Sequence, residues 1–216
     1  NKQNKNGDTA LIIAPDIEIL QLLCNTFKDT IDINKQNNNG NTVLMTAVLN
    51  KNVEVIKYLC NTFKDTININ TQNKNGDTAL IIAPNIEILQ FLCNTFKDTV
   101  DINRQNNEGY TALMFAIEYN TDGTVVQYLY NTFKNAIDIN KRNKNGYTAL
   151  MLAAQYNKIV EVIQHFCDKT ININVQNKNG DTAFMLATQY NTNVKVIQYL
   201  YETFKDTIDT DKKNYN

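Results

Sequence analysis

A glycine recurs about every 33 residues, and this period constrains the fold more than any other feature of the chain. The recurring glycines are separated by 33, 36, 33, 37 and 34 residues, at Gly7, Gly40, Gly76, Gly109, Gly146 and Gly180. Each lies in a similar segment, such as NKNGDTAL at 4–11 and NKNGYTAL at 143–150. Self-similarity at this spacing indicates a stacked array, in which each unit contacts only its neighbours.

Residues 34–69 show what one unit contains. The Asn-Asn-Gly at 38–40 predicts a turn, because Gly and Asn tolerate a positive φ. Thr42 stands where a helix N-cap belongs, and 43–48 are expected to form a short first helix. After a break at 50–52, apolar residues recur at i, i+3 and i+4 spacing through 53–63, which predicts a second helix.

This unit resembles the ankyrin repeat. The matching positions are Gly40-x-Thr42-x-Leu44-x-x-Ala47, then Glu54-Val55-Ile56-x-x-Leu59, then Ile69-Asn70. The resemblance implies an all-α fold, an ankyrin-repeat solenoid of helix-turn-helix units with short turns or β-hairpin tips between repeats. The expected repeats cover residues 1–209, at 1–33, 34–69, 70–102, 103–139, 140–173 and 174–209, followed by a polar C-terminal tail at 210–216.

The chain departs from the family pattern in three ways. The family's Thr-Pro-Leu-His becomes Thr-Ala-Leu-Met at 148–151, so a histidine hydrogen bond is missing and the turn is expected to be held less tightly. An insertion carrying Phe63 in repeat two, and a Phe in four other repeats, should extend the second helix by about one turn and pack between repeats. The loop between the helices is three residues shorter in repeats one and three and one residue longer in repeats four to six.

The cysteines and the single histidine are interpreted as packing residues. Cys24, Cys60, Cys93 and Cys167 occupy the same position of the second helix, and stacked helices about 8–10 Å apart are too distant for a disulfide. Free thiols fit a reducing compartment and hence a cytoplasmic location. His165 occupies the position of a tyrosine in other repeats, which favours semi-buried packing over catalysis.

Composition and motifs argue against several classes of function. The net charge of −1 leaves no basic footprint for nucleic acid and no attraction to an anionic membrane. No apolar run is long enough for a spanning helix. There is no catalytic triad, Gly-rich phosphate loop or calcium loop, so we expect no catalytic residue, cofactor or metal site.

The source and extent of the chain can also be interpreted. Asn is abundant at fixed turn positions rather than in runs, a composition typical of an AT-rich genome such as that of a protist, an intracellular bacterium or a giant DNA virus. Asn1 corresponds to Asn34 one repeat later, so we interpret the chain as a segment of a longer array, or as a processed or engineered chain.

Tyrosines are predicted to converge on one face of the C-terminal half. In ankyrin repeats the concave face, formed by turn tips and first helices, usually receives the partner. Mapped onto this sequence, the tyrosines there are Tyr110, Tyr119, Tyr147, Tyr156 and Tyr190, with a charged rim of Glu108, Glu118, Arg142, Lys144 and Lys178. Tyrosine is enriched at binding hot spots. The alternative is that Tyr119, Tyr156 and Tyr190 simply cover the loop between the helices.

The leading functional hypothesis is therefore a non-enzymatic, monomeric scaffold that binds another protein through this face. A second hypothesis is the recognition segment of a larger multidomain protein, such as an enzyme, a ubiquitin-ligase adaptor or a host-directed effector acting in the host cytoplasm or nucleus. A third is a structural spacer without a dedicated partner.

Overall fold

A computed structural model describes residues 2–14, 16–83, 85–119, 123–156, 159–167 and 171–214 of the chain. Within these residues the chain is all-helical and contains no β-strand. The α-helices are α1 (Ile17–Thr26), α2 (Val43–Leu49), α3 (Val53–Phe63), α4 (Ile86–Thr95), α5 (Ala112–Tyr119), α6 (Thr124–Phe133), α7 (Ala149–Tyr156), α8 (Val160–Phe166), α9 (Ala183–Tyr190) and α10 (Val194–Phe204). A 3₁₀-helix follows α1 at Lys28–Thr30.

The chain forms two compact units, Asn1–Asn107 and Glu108–Asn216. In the first unit the second helices α1, α3 and α4 stack on one another, and the first helix α2 packs against α3. Its core consists of aliphatic and methionine side chains with almost no exposed surface, including Leu20, Met45, Ile56, Leu59, Ile88 and Leu92.

The second unit contains complete helix pairs. The first helices α5, α7 and α9 stack in one row, the second helices α6, α8 and α10 stack in another, and each first helix packs against its own second helix. Met114, Ile117, Leu129, Met151, Leu152 and Phe166 are fully buried between the rows.

The predicted threonine caps are confirmed. The hydroxyl oxygen of Thr42 accepts a hydrogen bond from the Met45 N–H at 3.3 Å, and α2 begins at the next residue, Val43. Thr182 does the same for Met185 at the start of α9. The side chain thereby satisfies one of the amide donors that the first turn of a helix leaves unpaired.

Repeats one and three differ from the helix-turn-helix pattern of the others. Their first helices are reduced to a single turn at 10–13 and 79–82, in which the Ile12 N–H donates to Thr9 and the Ile82 N–H to Thr78. The loops of these repeats are three residues shorter, so α1 and α4 begin too soon after the turn for a full first helix to form. The side that carries first helices elsewhere is therefore incomplete in these two repeats.

The phenylalanine insertion extends the second helix as predicted. Helices α3, α6 and α10 end on Phe63, Phe133 and Phe204, whereas α8, which lacks the insertion, has only 7 residues. Phe96 and Phe133 are buried, in agreement with packing between repeats. Phe27, in repeat one, is 53% exposed.

The cysteines and the histidine have packing environments. Cys24, Cys60 and Cys93 are buried free thiols, and burial raises the pKa of Cys60 and Cys93 to about 12. His165 is half-buried and stacks on Tyr130 with ring centroids 4.7 Å apart. Its pKa is lowered, chiefly because burial disfavours the charged ring and also because of the charge of Lys134.

Candidate protein-binding face

An asparagine side chain organises each turn that precedes a first helix. In repeat two the Asn37 Oδ1 accepts hydrogen bonds from the N–H groups of Asn39 and Asn41, both at 3.0 Å. The backbone closes the same turn, because the Gly40 N–H donates to the Asn37 carbonyl at 2.8 Å. Asn73 and Asn143 repeat the arrangement. These bonds hold a turn that the missing histidine was expected to leave looser.

Gly40 is required in this turn by its backbone and by its neighbour. Its φ is +78°, a left-handed conformation that L side chains rarely adopt. A Cβ placed there would lie 2.6 Å from the backbone nitrogen of Lys74 in the next turn. The close approach exists because the Lys74 N–H donates to the Asn39 carbonyl at 2.9 Å. The recurring glycines therefore mark the positions at which successive turns contact one another.

The same asparagines also link successive turns through their side chains. The Asn37 Nδ2 donates to Asp8 of the preceding repeat at 2.9 Å, Asn73 donates to Asn41 at 3.1 Å, and Asn106 donates to Asp77 at 2.8 Å. The acceptor is always the residue that follows the turn glycine. We call this row of side-chain pairs the asparagine ladder.

Tyrosines replace the acceptors of the ladder in the second unit. Tyr110 and Tyr147 follow Gly109 and Gly146, and their side chains hydrogen-bond to Asn143 and Asn177. Both tyrosines are half-buried, and Asn143 and Asn177 are only 5% and 3% exposed. Tyr110 and Tyr147 therefore belong to the turn joints as well as to the surface of the unit.

Arg142 lies in a second row of hydrogen bonds beneath the turns. In other repeats a glutamine occupies this position, and Gln72, for example, donates to the carbonyls of Gly76 and Gln105. Arg142 reproduces both bonds, because its Nε donates to the Gly146 carbonyl at 3.1 Å and its Nη2 donates to the Gln176 carbonyl. Its guanidinium is thus engaged with backbone within the unit.

The other predicted tyrosines form an exposed row. Tyr119, Tyr156 and Tyr190 are the last residues of the stacked helices α5, α7 and α9, and they are 63%, 48% and 52% exposed. Phe115 connects this row to the turns, since its ring centroid lies 4.5 Å from that of Tyr119 and 6.5 Å from that of Tyr110. We use the name tyrosine face for Tyr110, Tyr119, Tyr147, Tyr156 and Tyr190.

Electrostatic interactions show that the tyrosine face is one cluster. The pKa of Tyr156 is raised first by burial and then by charge interactions with Glu118, Tyr147, Tyr119 and Tyr190. The pKa of Tyr119 is raised mainly by the negative charge of Glu118. Burial raises the pKa of Tyr110, and its hydrogen bond to Glu118 adds to the effect. Glu118 therefore lies among the tyrosines rather than on a rim around them.

The remaining charged residues of the predicted rim lie at the turn tips. Lys144 and Glu108 are exposed and form an ion pair across neighbouring tips, with Nζ and Oε1 3.6 Å apart. Lys178 is exposed, and its backbone N–H donates to the Asn145 carbonyl at 2.9 Å. An exposed pair of this kind contributes little to stability.

Sequence reasoning missed three contributors to the face. Phe115 connects Tyr110 to Tyr119, and its i, i+4 spacing from Tyr119 on a helix is the signal that could have found it. Asn143 and Asn177 were interpreted only as turn residues, although their recurrence one position before each turn also placed them against the next tip.

The chain belongs to the ankyrin-repeat family. The family model for ankyrin repeats (3 copies) matches residues 1–72, 61–143 and 119–214, as the sequence resemblance predicted. Ankyrin repeats are protein interaction modules and are typically not enzymes. No curated protein sequence matches the chain.

Two solved structures show how widely this fold extends. One is the predatory endopeptidase Bd0816 from Bdellovibrio bacteriovorus in complex with the immunity protein Bd3460. The match has 27% identity and a TM-score of 0.67 and covers 92% of this chain and 99% of that chain. The other is the ankyrin repeat domain of Bcl-3, described as a unique member of the IkappaB protein family, at 24% identity, TM-score 0.71, and 97% and 91% coverage. The second likeness shows the fold alone.

The described residues give no sign of a metal centre or of a bilayer span. They contain no group of three or more His, Cys, Asp or Glu side chains placed to hold a metal ion. None of their helices combines the length and the apolar character that crossing a bilayer requires.

Proposed function

We propose that this chain is a non-enzymatic, cytoplasmic scaffold that binds a protein partner as a monomer through the tyrosine face. The observation that carries the proposal is the exposed row of Tyr119, Tyr156 and Tyr190 on three stacked first helices. Contiguous exposed aromatic surface marks interaction sites, and tyrosine supplies large contact area at low conformational cost.

The exposure of these rings argues against a purely structural role. Side chains that only covered the loops between the helices would bury most of their surface, yet each of the three leaves about half or more in solvent. Repeats one and three, in which the first helix is a single turn, cannot present the equivalent position. The second unit is therefore the part of the chain best built for binding.

The comparisons support a protein as the partner. The Bdellovibrio structure that matches most of this chain is itself a complex between an endopeptidase and an immunity protein. A composition with net charge −1 gives no electrostatic basis for binding nucleic acid. The reduced thiols fit a cytoplasmic compartment, either of the source cell or of a host.

The double substitution of Tyr119→Ser and Tyr156→Ser tests the proposal. Immobilised wild-type protein, incubated with an extract of the source cell, should capture a stoichiometric partner. The double variant should capture at least about 90% less of it, because hot-spot aromatics carry most of an interface's binding energy. Both tyrosines are exposed, so thermal unfolding should change little. Tyr110 and Tyr147 are less suitable, because their replacement also disturbs the asparagine ladder.

Tyr201→Ser is the matched control. Tyr201 is 52% exposed, like the target residues, but it lies on the second helix α10. It should leave partner capture unchanged. Equal capture by wild type and by the double variant would reject the tyrosine face. If no stoichiometric partner is captured by any of the proteins, the spacer hypothesis is favoured instead.

A further inference from the structure

The tyrosine face contains two buried oxygen atoms that lack a donor. The Glu118 Oε2 and the Gln155 Oε1 are buried and make no hydrogen bond with any described residue. They occupy the same position on the stacked helices α5 and α7, each one residue before an exposed tyrosine. The two acceptors thus lie at equivalent positions of neighbouring helices, next to Tyr119 and Tyr156 in the sequence.

Among the described residues, the charged groups that interact with this part of the tyrosine face are negative. No ion pair between Glu118 and a described Lys or Arg is observed. Tyr147 also interacts with the carboxylates of Asp181 and Glu118. Desolvated acceptors without donors are unfavourable, so a ligand that supplies donors there gains more than it would from exposed groups.

Arginine supplies the hydrogen-bond donors and the positive charge that this arrangement lacks. Its guanidinium carries only donors, is charged at every physiological pH, and presents a planar fork that can serve more than one acceptor. Tyrosine faces attract cations, and guanidinium groups stack on them. Lysine offers a compact charge without the planar fork.

We propose that the tyrosine face binds an arginine side chain of the protein partner: the exposed rings of Tyr119 and Tyr156 shift to admit the guanidinium, which stacks on them and donates hydrogen bonds to Glu118 and Gln155. This inference rests on the proposed function, since it names the chemistry that the partner must present. It also explains why repeat four carries a glutamate at this position of the first helix. Repeats five and six carry Gln155 and Gln189 there, so one repeat of the face supplies the charge.

The test compares two probes of nearly the same shape. Acetyl-arginine amide is titrated into isotope-labelled full-length chain and followed by the backbone amide signals of Tyr119 and Tyr156, with acetyl-citrulline amide as the uncharged probe. Arginine should bind at millimolar concentration and about tenfold more tightly than citrulline, because only the guanidinium carries the positive charge that pairs with the Glu118 carboxylate.

Glu118→Gln is the matched variant, since it installs the side chain that repeats five and six already carry. It should fold normally, reduce the preference for arginine over citrulline at least about fivefold, and leave citrulline binding unchanged. Equal binding of the two probes to the wild-type chain, or an unchanged preference in E118Q, would overturn the arginine site.

The two proposals fail in different ways. If partner capture depends on Tyr119 and Tyr156 but arginine has no advantage over citrulline, the arginine site is wrong and the tyrosine face stands. If the tyrosine substitutions leave partner capture intact, the proposed function itself is wrong, whatever the probes show.

Discussion

One asparagine amide group contributes to the joint between successive turns in two ways. The Asn37 Oδ1 accepts two hydrogen bonds that shape its own turn, while its Nδ2 donates to the neighbouring Asp8. The oxygen therefore acts within a repeat and the nitrogen between repeats. An aspartate can supply the accepting oxygen but not the donating nitrogen. An Asn→Asp substitution, which keeps the shape of the side chain, therefore tests the bond between repeats.

Asn37→Asp should destabilise the chain more than Asn73→Asp. In the first variant the new carboxylate faces Asp8, whereas in the second it faces Asn41, whose amide can rotate to donate. The difference in free energy of unfolding should be about 1–4 kcal/mol near pH 7, between the values for two unit charges about 4 Å apart in water and near a protein surface. Denaturant titration of the two variants measures it.

The difference should shrink as the pH falls. Protonation of the carboxyl introduced at position 37 removes the repulsion and restores a donor. Equal stabilities of the two variants at neutral pH would show that the ladder bond contributes nothing to the joint.

Local features of the residues could be predicted from the sequence. The Gly40 turn and the Thr42 cap follow from rules that involve three or four neighbouring residues, and both are confirmed. The asparagine ladder could not be predicted in the same way, because each bond joins residues about 30 positions apart in the sequence. The unpaired oxygen of Glu118 is harder still, since the burial of one atom depends on every side chain around it.

At the scale of the helices, the phenylalanine insertion has different effects at different places in the chain. Phe27 and Phe96 are equivalent residues, and each forms the C-cap of its helix, α1 or α4. Phe96 is 3% exposed, but Phe27 is 53% exposed. The same local sequence thus caps both helices, while the burial of the ring differs between the two repeats.

Phe96→Ala should cost about 3–5 kcal/mol, the usual range for emptying a buried phenylalanine site. Phe27→Ala should cost less than about 1 kcal/mol, since most of its ring area is already in contact with water. Urea unfolding of the two variants, analysed with a common slope, measures both. Comparable losses would mean that the exposed Phe27 ring is covered in solution.

Helix length also separates the two units. Loops shortened by three residues replace the first helices of repeats one and three with single turns, and in the second unit α5, α7 and α9 are all present. Comparison of the repeats with one another in the sequence located these length changes correctly. The loss of the first helices could not be predicted from the sequence, because a deletion of three residues can shorten either the loop or the helix before it.

At the scale of the whole molecule, the buried thiols report on opening of the core. The pKa of about 12 at Cys60 and Cys93 leaves roughly one thiol in ten thousand ionised at pH 8. Iodoacetamide should therefore modify these two residues only when the first unit unfolds, and at equal rates. Half-buried Cys167, at the end of α8, should react earlier.

Mass spectrometry of the native protein over time measures the rates, with complete labelling in guanidinium chloride as the control. Rapid native labelling of Cys60 would contradict the buried environment. The same pKa values predict a loss of stability in alkali. The unfolded chain releases thiol protons near pH 8.5 while the folded chain holds them to about pH 12, so the free energy of unfolding falls as the pH rises through that window.

The asparagine ladder also bears on how such a gene can change length. Its donor is always the same amide, whereas its partner is Asp8, Asn41 or Asp77 in one unit and Tyr110 or Tyr147 in the other. This contact accepts a carboxylate, an amide or a phenol. Unequal crossing-over can therefore join any repeat to any other and keep the hydrogen bond between their turns. The residue after the glycine is then free to drift, and new surface chemistry can be sampled at a position whose backbone is already secured.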